Sequence, residues 1–115
     1  MNLLGREGEA DAVQYLSDKG YRILEKNYRT PFGEIDIIAK DGDVLVFIEV
    51  KTRADDSFGS PFEAVDRRKR DKIRKVALSF MQKLKKEVPA RFDVMSISID
   101  KGEYRIEHIR DAFEV

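Results

Sequence analysis

Two hydrophobic periods alternate along this chain and divide it into elements. Between residues 2 and 19, Ala10, Val13 and Leu16 recur at helical spacing, and Gly20 follows where a helix end favours a residue of positive φ, which predicts a first helix. Tyr21 and Ile23 alternate against Arg22 in a segment running to Arg29, which predicts a strand, and Thr30-Pro31-Phe32-Gly33 has the composition of a turn. The stretch Gly33 to Lys51, GEIDIIAKDGDVLVFIEVK, holds two runs rich in β-branched residues around Asp41-Gly42, a strong hairpin signal. Thr52 to Gly59 is a polar loop. In Ser60-Pro61-Phe62-Glu63 an N-cap serine, a first-turn proline and a capping-box glutamate coincide, predicting a second helix start. From there Val65, Ile73, Val76, Ala77, Phe80 and Leu84 keep helical spacing through to Lys86, with a break expected near Asp66. Pro89 ends the helical region. Arg91 to Ile99 and Tyr104 to Ile109 predict two further strands around Asp100-Lys101-Gly102-Glu103, while Arg110 to Val115 carries no pattern. A strand, a long helix and another strand imply a right-handed crossover with parallel pairing. The expected class is therefore α/β, in a single domain spanning residues 1–115.

Charges interrupt this pattern at particular places. Strand side chains alternate in direction, so Val44, Val46, Ile48 and Val50 point one way, and Leu45, Phe47, Glu49 and Lys51 the other. A two-residue turn at Asp41-Gly42 would set Asp36 opposite Phe47 and Glu34 opposite Glu49; a four-residue loop would set Asp36 opposite Glu49. A three-residue loop without a bulge would turn Asp36 and Glu49 to opposite faces. On the first helix Glu9 lines up with Val13 and Leu16, whereas Glu7 shares the wet side with Asp11, Gln14 and Asp18. An inward Glu9 needs a cation or a partner; the alternative is a helix that begins near Glu9 and leaves it exposed in the first turn, where an acid suits the dipole. On the second helix seven of the nine residues from Arg67 to Lys75 are Lys or Arg, and Lys69, four residues before Ile73, aims toward the sheet. Arg68, Lys72 and Lys75 flank it. A solvated helix face is the plainer account of such a run.

Composition narrows the chemistry. With no cysteine and one histidine, thiolate zinc sites, cysteine nucleophiles, disulfides and histidine pairs are excluded. His108 is read as non-catalytic and Asp93 as a structural acid. Carboxylates remain as ligands, and these hard oxygen donors suit Mg²⁺ or Mn²⁺. Apolar residues make up 42% of the chain and charged ones 38%, which fits a globular protein; no run would span a bilayer, and a cytoplasmic location is expected. The net charge of zero means that any nucleic-acid interaction depends on where charges lie. Glu9, Asp36, Glu49 and Lys51 are expected to lie on one side of the sheet, a set that would suit phosphodiester hydrolysis with a divalent metal. Ordinary cross-strand ion pairs, Glu49–Lys51 or Glu34–Lys51, would explain the same charges without chemistry.

The residues Gly5-Arg6-Glu7-Gly8-Glu9-Ala10, Gly33-Glu34-Ile35-Asp36 and Phe47-Ile48-Glu49-Val50-Lys51-Thr52-Arg53, with Phe58-Gly59, Val65, Lys69, Lys72 and Phe92-Asp93-Val94, resemble the YraN-type family of small bacterial proteins. That family is in turn similar to the restriction-endonuclease-like PD-(D/E)XK fold, most closely to archaeal Holliday junction resolvases. The resemblance implies an αβββαββ chain with a mixed central sheet flanked by helices. It also implies a nuclease site in which Glu9 supplies the helix carboxylate, Asp36 and Glu49 are metal ligands and Lys51 is the catalytic lysine. Arg53, Arg68, Lys69, Lys72 and Lys75 are the expected nucleic-acid contacts. Ile35 stands where the motif's name has proline. The expectation is thus a metal-dependent endonuclease acting on DNA, including branched or junction DNA, with a two-fold homodimer as the natural way to cut two strands. Its alternatives are a non-catalytic nucleic-acid-binding module or adaptor on the same fold, and a structural protein with an ion-paired hairpin.

Overall fold

The structure, a computed structural model, describes residues 3–53, 67–100 and 102–113. Its elements are α1 (Leu3–Asp18), β1 (Arg22–Thr30), β2 (Gly33–Asp41), β3 (Val44–Arg53), α2 (Arg67–Lys83), β4 (Ala90–Asp100) and β5 (Glu103–Phe113). The strands form one sheet in the order β1-β2-β3-β4-β5, antiparallel except for the parallel β3–β4 pair that α2 connects. This is the mixed α/β arrangement expected, with two helices and five strands among the described residues. The helix start expected at Ser60-Pro61-Phe62-Glu63 lies outside the described residues.

Strand alternation sends the apolar residues to two cores. Ala12 and Leu16 of α1 pack against Ile37, Ala39, Val46, Ile48, Met95 and Ile97 on one face. Ile73, Val76 and Ala77 of α2 pack against Ile35, Ile38, Leu45, Phe47, Phe92 and Val94 on the other. Covering both faces explains why the middle of β3 reads as an unbroken apolar run, Leu45 to Ile48, all fully buried. Each such side chain contributes about 1.5–3 kcal/mol by leaving water.

Three details correct the sequence expectations. The buried line of α1 runs through Gly8, Ala12 and Leu16, and Ala10 is exposed. Helix and sheet approach so closely at Gly8 that a Cβ there would collide with Thr52 Cγ2, so the glycine sets the rotation of the helix. The end of α1 behaves as expected: Gly20 has φ +89°, its N–H donates to the Ser17 carbonyl, and the Tyr21 N–H donates to the Leu16 carbonyl. Second, the hairpin turn is Gly42-Asp43, with Asp41 paired to Val44, because a glycine of φ +60° fits the first corner of a tight hairpin turn. Ile37 then pairs with Ile48, so Asp36 comes level with Glu49 rather than Phe47, and Glu34 no longer faces Glu49. Third, β5 continues past Ile109. A register shift and the positive φ of Asp111 (53°) return Ala112 and Phe113 to the core, where Phe113 stacks on Phe92 at 4.7 Å.

Candidate functional site

Period two on β3 fixes the first site residue. After Leu45 and Phe47, Glu49 points to the α2 face, only 8% exposed. Lys69, one turn before the buried Ile73, reaches down from α2 and places its Nζ 2.7 Å from Glu49 Oε1. Lys51 approaches the same oxygen at 3.6 Å.

Asp36 owes its position to an irregularity. The β2–β3 ladder stops at Ile37–Ile48, and beyond it Asp36 Oδ2 accepts the Val50 N–H at 2.8 Å, as a backbone carbonyl would in a continued ladder. Alternation also breaks here, since Ile35 and Ile38 both belong to the α2 core while Ile37 belongs to the α1 core. On β1, Asn27 at this level has φ 52°. Asp36 therefore sits where the two layers meet. It borders a cleft of about 310 Å³ shared with Gly33, Glu34, Glu49, Lys69 and Lys72, and a second of about 350 Å³ shared with Glu9, Ala10, Val13, Lys26 and Asn27.

Glu9 is half-buried at the border of the α1 stripe, so it points inward but not into the core. The expectation that all four residues share one side of the sheet is corrected. Glu49, Lys51 and Lys69 meet on the α2 face, while Glu9 approaches Asp36 from the α1 layer, because the two helices cover opposite faces. Among the described residues no three acidic or imidazole side chains are gathered tightly enough to enclose an ion as they stand.

The electrostatics are uneven. Burial, followed by the charges of Glu49, Glu9 and Glu34, pushes the Asp36 carboxyl up to about 7 despite the Val50 N–H. Burial and the neighbouring Lys69 lower the proton affinity of Lys51. Burial opposes the charge on Lys69 too, but the hydrogen bonds to Glu49 and Lys51 and the charges of Glu49 and Asp36 together outweigh it and raise its pKa. A buried acid that resists ionisation beside other acids is a group that a cation would relieve. The donor set fits a hard divalent ion, since Asp36 and Glu49 spend Oδ2 and Oε1 on the bonds described and retain Oδ1 and Oε2.

Of the expected nucleic-acid contacts, Lys72 lines the α2-side cleft, Arg68 and Lys75 are exposed on the same helix, and Lys69 is engaged with Glu49. Arg53 pairs with Ser98 in the β3–β4 register, and its side chain lies outside the described residues. Sequence reasoning gave no role to Gly8, Asn27 or the field of Glu34, which forms an ion pair with Arg29 at 3.2 Å instead of with Lys51. The closeness of Gly8 to Glu9 was the available signal. Asp93 and His108 form a separate network: Asp93 contacts His108 Nε2 at 2.7 Å and Arg91 Nε at 3.0 Å, as a structural acid would.

Comparison with known proteins agrees with the extent of the resemblance. The profile of the uncharacterised protein family UPF0102 matches residues 8–97. A UPF0102 protein of Thermodesulfovibrio yellowstonii is 58% identical over 110 residues, covering 96% of this chain and 95% of the relative. One of Syntrophus aciditrophicus is 51% identical over 112 residues, covering 96% and 88%, and one of Geotalea uraniireducens is 47% identical over 114, covering 97% and 90%. The matched segment contains Glu9, Asp36, Glu49, Lys51 and Lys69, every residue of the cluster just described, and on this evidence the chain belongs to the UPF0102 family.

Proposed function

We propose that this chain is a divalent-metal-dependent nuclease of the PD-(D/E)XK type, acting on DNA and suited to branched or junction substrates. The observation that carries the reading is the meeting of Asp36, Glu49 and Lys69 in one cleft at the end of the β2–β3 ladder, with Lys51 Nζ 3.6 Å from Glu49 Oε1. Asp36 and Glu49 would hold Mg²⁺ or Mn²⁺, with Glu9 supporting it from the α1 side. Such an ion, when bound, supplies charge to the phosphodiester and lowers the pKa of an attacking water. The chain's own groups do the rest. Lys51, its proton affinity already lowered by burial and Lys69, is suited to holding or exchanging a proton beside the nucleophile. Lys72 at the rim offers a positive contact to a phosphate. The half-buried floor limits water around the reacting bond.

Cleavage of linear, nicked, flap and four-way-junction DNA in Mn²⁺ tests this, with wild type set against Lys51→Ala. Removal of the lysine is expected to slow cleavage about a hundred-fold or more. Absence of cleavage on every substrate would overturn the enzymatic reading. One observation favours a second reading, a non-catalytic nucleic-acid-binding adaptor: Glu49 already has two lysine counter-ions and so is partly neutralised without a metal. That reading expects DNA binding that is indifferent to Mn²⁺.

A further inference from the structure

Large apolar side chains of this sheet are mostly inside, yet Phe32, at the β1–β2 turn beside the candidate site, is 52% exposed. A lone exposed aromatic is ordinary; this one is held firmly in a charged setting. The Phe32 N–H donates to Thr30 Oγ1 at 3.1 Å, and Pro31 restricts the backbone of the turn. Gly33, with φ +148°, lies against α2: the position its Cβ would take is 3.8 Å from Lys72 Cβ and 3.8 Å from Val76 Cγ2. The turn is therefore seated on the basic helix. Lys75 Nζ stands 5.9 Å from the Phe32 ring centroid, and the next residues, Gly33 and Glu34, line the cleft that contains Asp36 and Glu49.

We propose that Phe32 is a stacking platform for an unpaired base of single-stranded DNA whose backbone passes along Lys72 and Lys75 at the mouth of the Asp36–Glu49 cleft. A pre-positioned aromatic ring with Lys75 near it and Lys72 at the adjoining cleft matches how single strands are held, with phosphates on cations and bases on π-faces. The occupant is an unpaired base because bases within a duplex are already stacked on their neighbours. The chain is neutral overall, so Lys75 near the ring and Lys72 in the adjoining cleft favour a short, structure-dependent contact over tight electrostatic wrapping. The inference deepens the nuclease reading and rests on it for the role of the cleft, since an unpaired segment beside the scissile bond is what distinguishes a branch or flap from a plain duplex.

The chain contains no tryptophan, so Phe32→Trp creates a sole indole at the platform, excited selectively over the four tyrosines. It is titrated with a mixed-sequence single-stranded DNA oligonucleotide and with an abasic strand of equal length, in EDTA and again in Ca²⁺. Quenching by the base-bearing strand and not by the abasic one is expected in at least one condition. Equal quenching by both, or none in either, would overturn the proposal. In parallel, Phe32→Ala should weaken single-strand binding about ten-fold, with Phe32→Tyr restoring it; unchanged affinity in Phe32→Ala overturns the platform even if cleavage is found. Base-dependent quenching with no cleavage removes the nuclease reading and leaves the platform standing.

Discussion

Asp93 and Asp36 are both acids set into the same sheet, and their surroundings are opposite. Asp93 is 1% exposed and fully partnered: Arg91 and His108 meet its carboxylate, and the N–H of Asp111 donates to Oδ1 at 3.0 Å. Burial works against its ionisation, but these hydrogen bonds outweigh it and hold the carboxyl below its ordinary range. Asp36 has one N–H donor and three acidic neighbours, and its carboxyl is pushed up to about 7. Arg91 also contacts Asp41 and the Tyr21 hydroxyl, and the His108 ring lies edge-on to Tyr15 and Tyr21, so the Asp93 network ties α1, the residue leading into β1, β2, β4 and β5 together. Polarity alone does not separate the two acids. What separates them is their surroundings: Asp93 is met by cationic and N–H donors, whereas the charges that act most on Asp36 are acidic.

The largest effect that could break this contrast is Asp93→Ala. Removing the carboxylate strands Arg91 and His108, and a loss of about 3–5 kcal/mol in urea denaturation is expected. A loss below about 1 kcal/mol would mean that the network does not bear on stability.

Metal addition comes next. Mn²⁺ at a hundred times its Kd should stabilise the wild type by about 2.7 kcal/mol, seen as a higher Tm. Asp36→Asn should lose that gain while raising the stability of the metal-free protein by about 1 kcal/mol, allowing for solvent screening. An Asp36→Asn variant that responds to Mn²⁺ like the wild type would remove Asp36 from the ligand set.

The smallest effect is in pH dependence, and its sign differs for the two acids. The depressed Asp93 contributes stability that is present above its unfolded value near 3.8 and is lost as pH falls through the folded value. The raised Asp36 contributes stability present below 3.8 and lost as pH rises toward 7. Asp93→Asn should therefore flatten the acid limb of the stability curve, and Asp36→Asn the limb between about pH 4 and 7. Identical curves for the two variants would erase the distinction.

Most of the fold was legible because its signals are local. Alternation along Leu45 to Val50, the glycine after α1 and the spacing of Ile73, Val76 and Ala77 each act within a few residues, and the parallel β3–β4 pair follows from the helix between them. Asp93 as a structural acid and Lys69 aimed at the sheet were legible in the same way. The end of β5 was not, since Ala112 and Phe113 reach the core only through a register shift that no short pattern announces. Nor was the turn position: Asp41-Gly42 and Gly42-Asp43 share the glycine, and the choice rests on which corner takes the positive φ.

The residue types at the candidate site, and the side to which Glu49 and Lys51 point, were determined by the sequence itself, because strand period is a property of the backbone. How those residues meet was decided by the tertiary structure. The ladder parts at Asp36, letting its carboxylate take the Val50 N–H, and Gly8 lets α1 press against Thr52 so that Glu9 comes to Asp36 from the other layer. Packing between layers depends on close approach and interrupted pairing, and neither repeats along the chain with a period that a sequence could display.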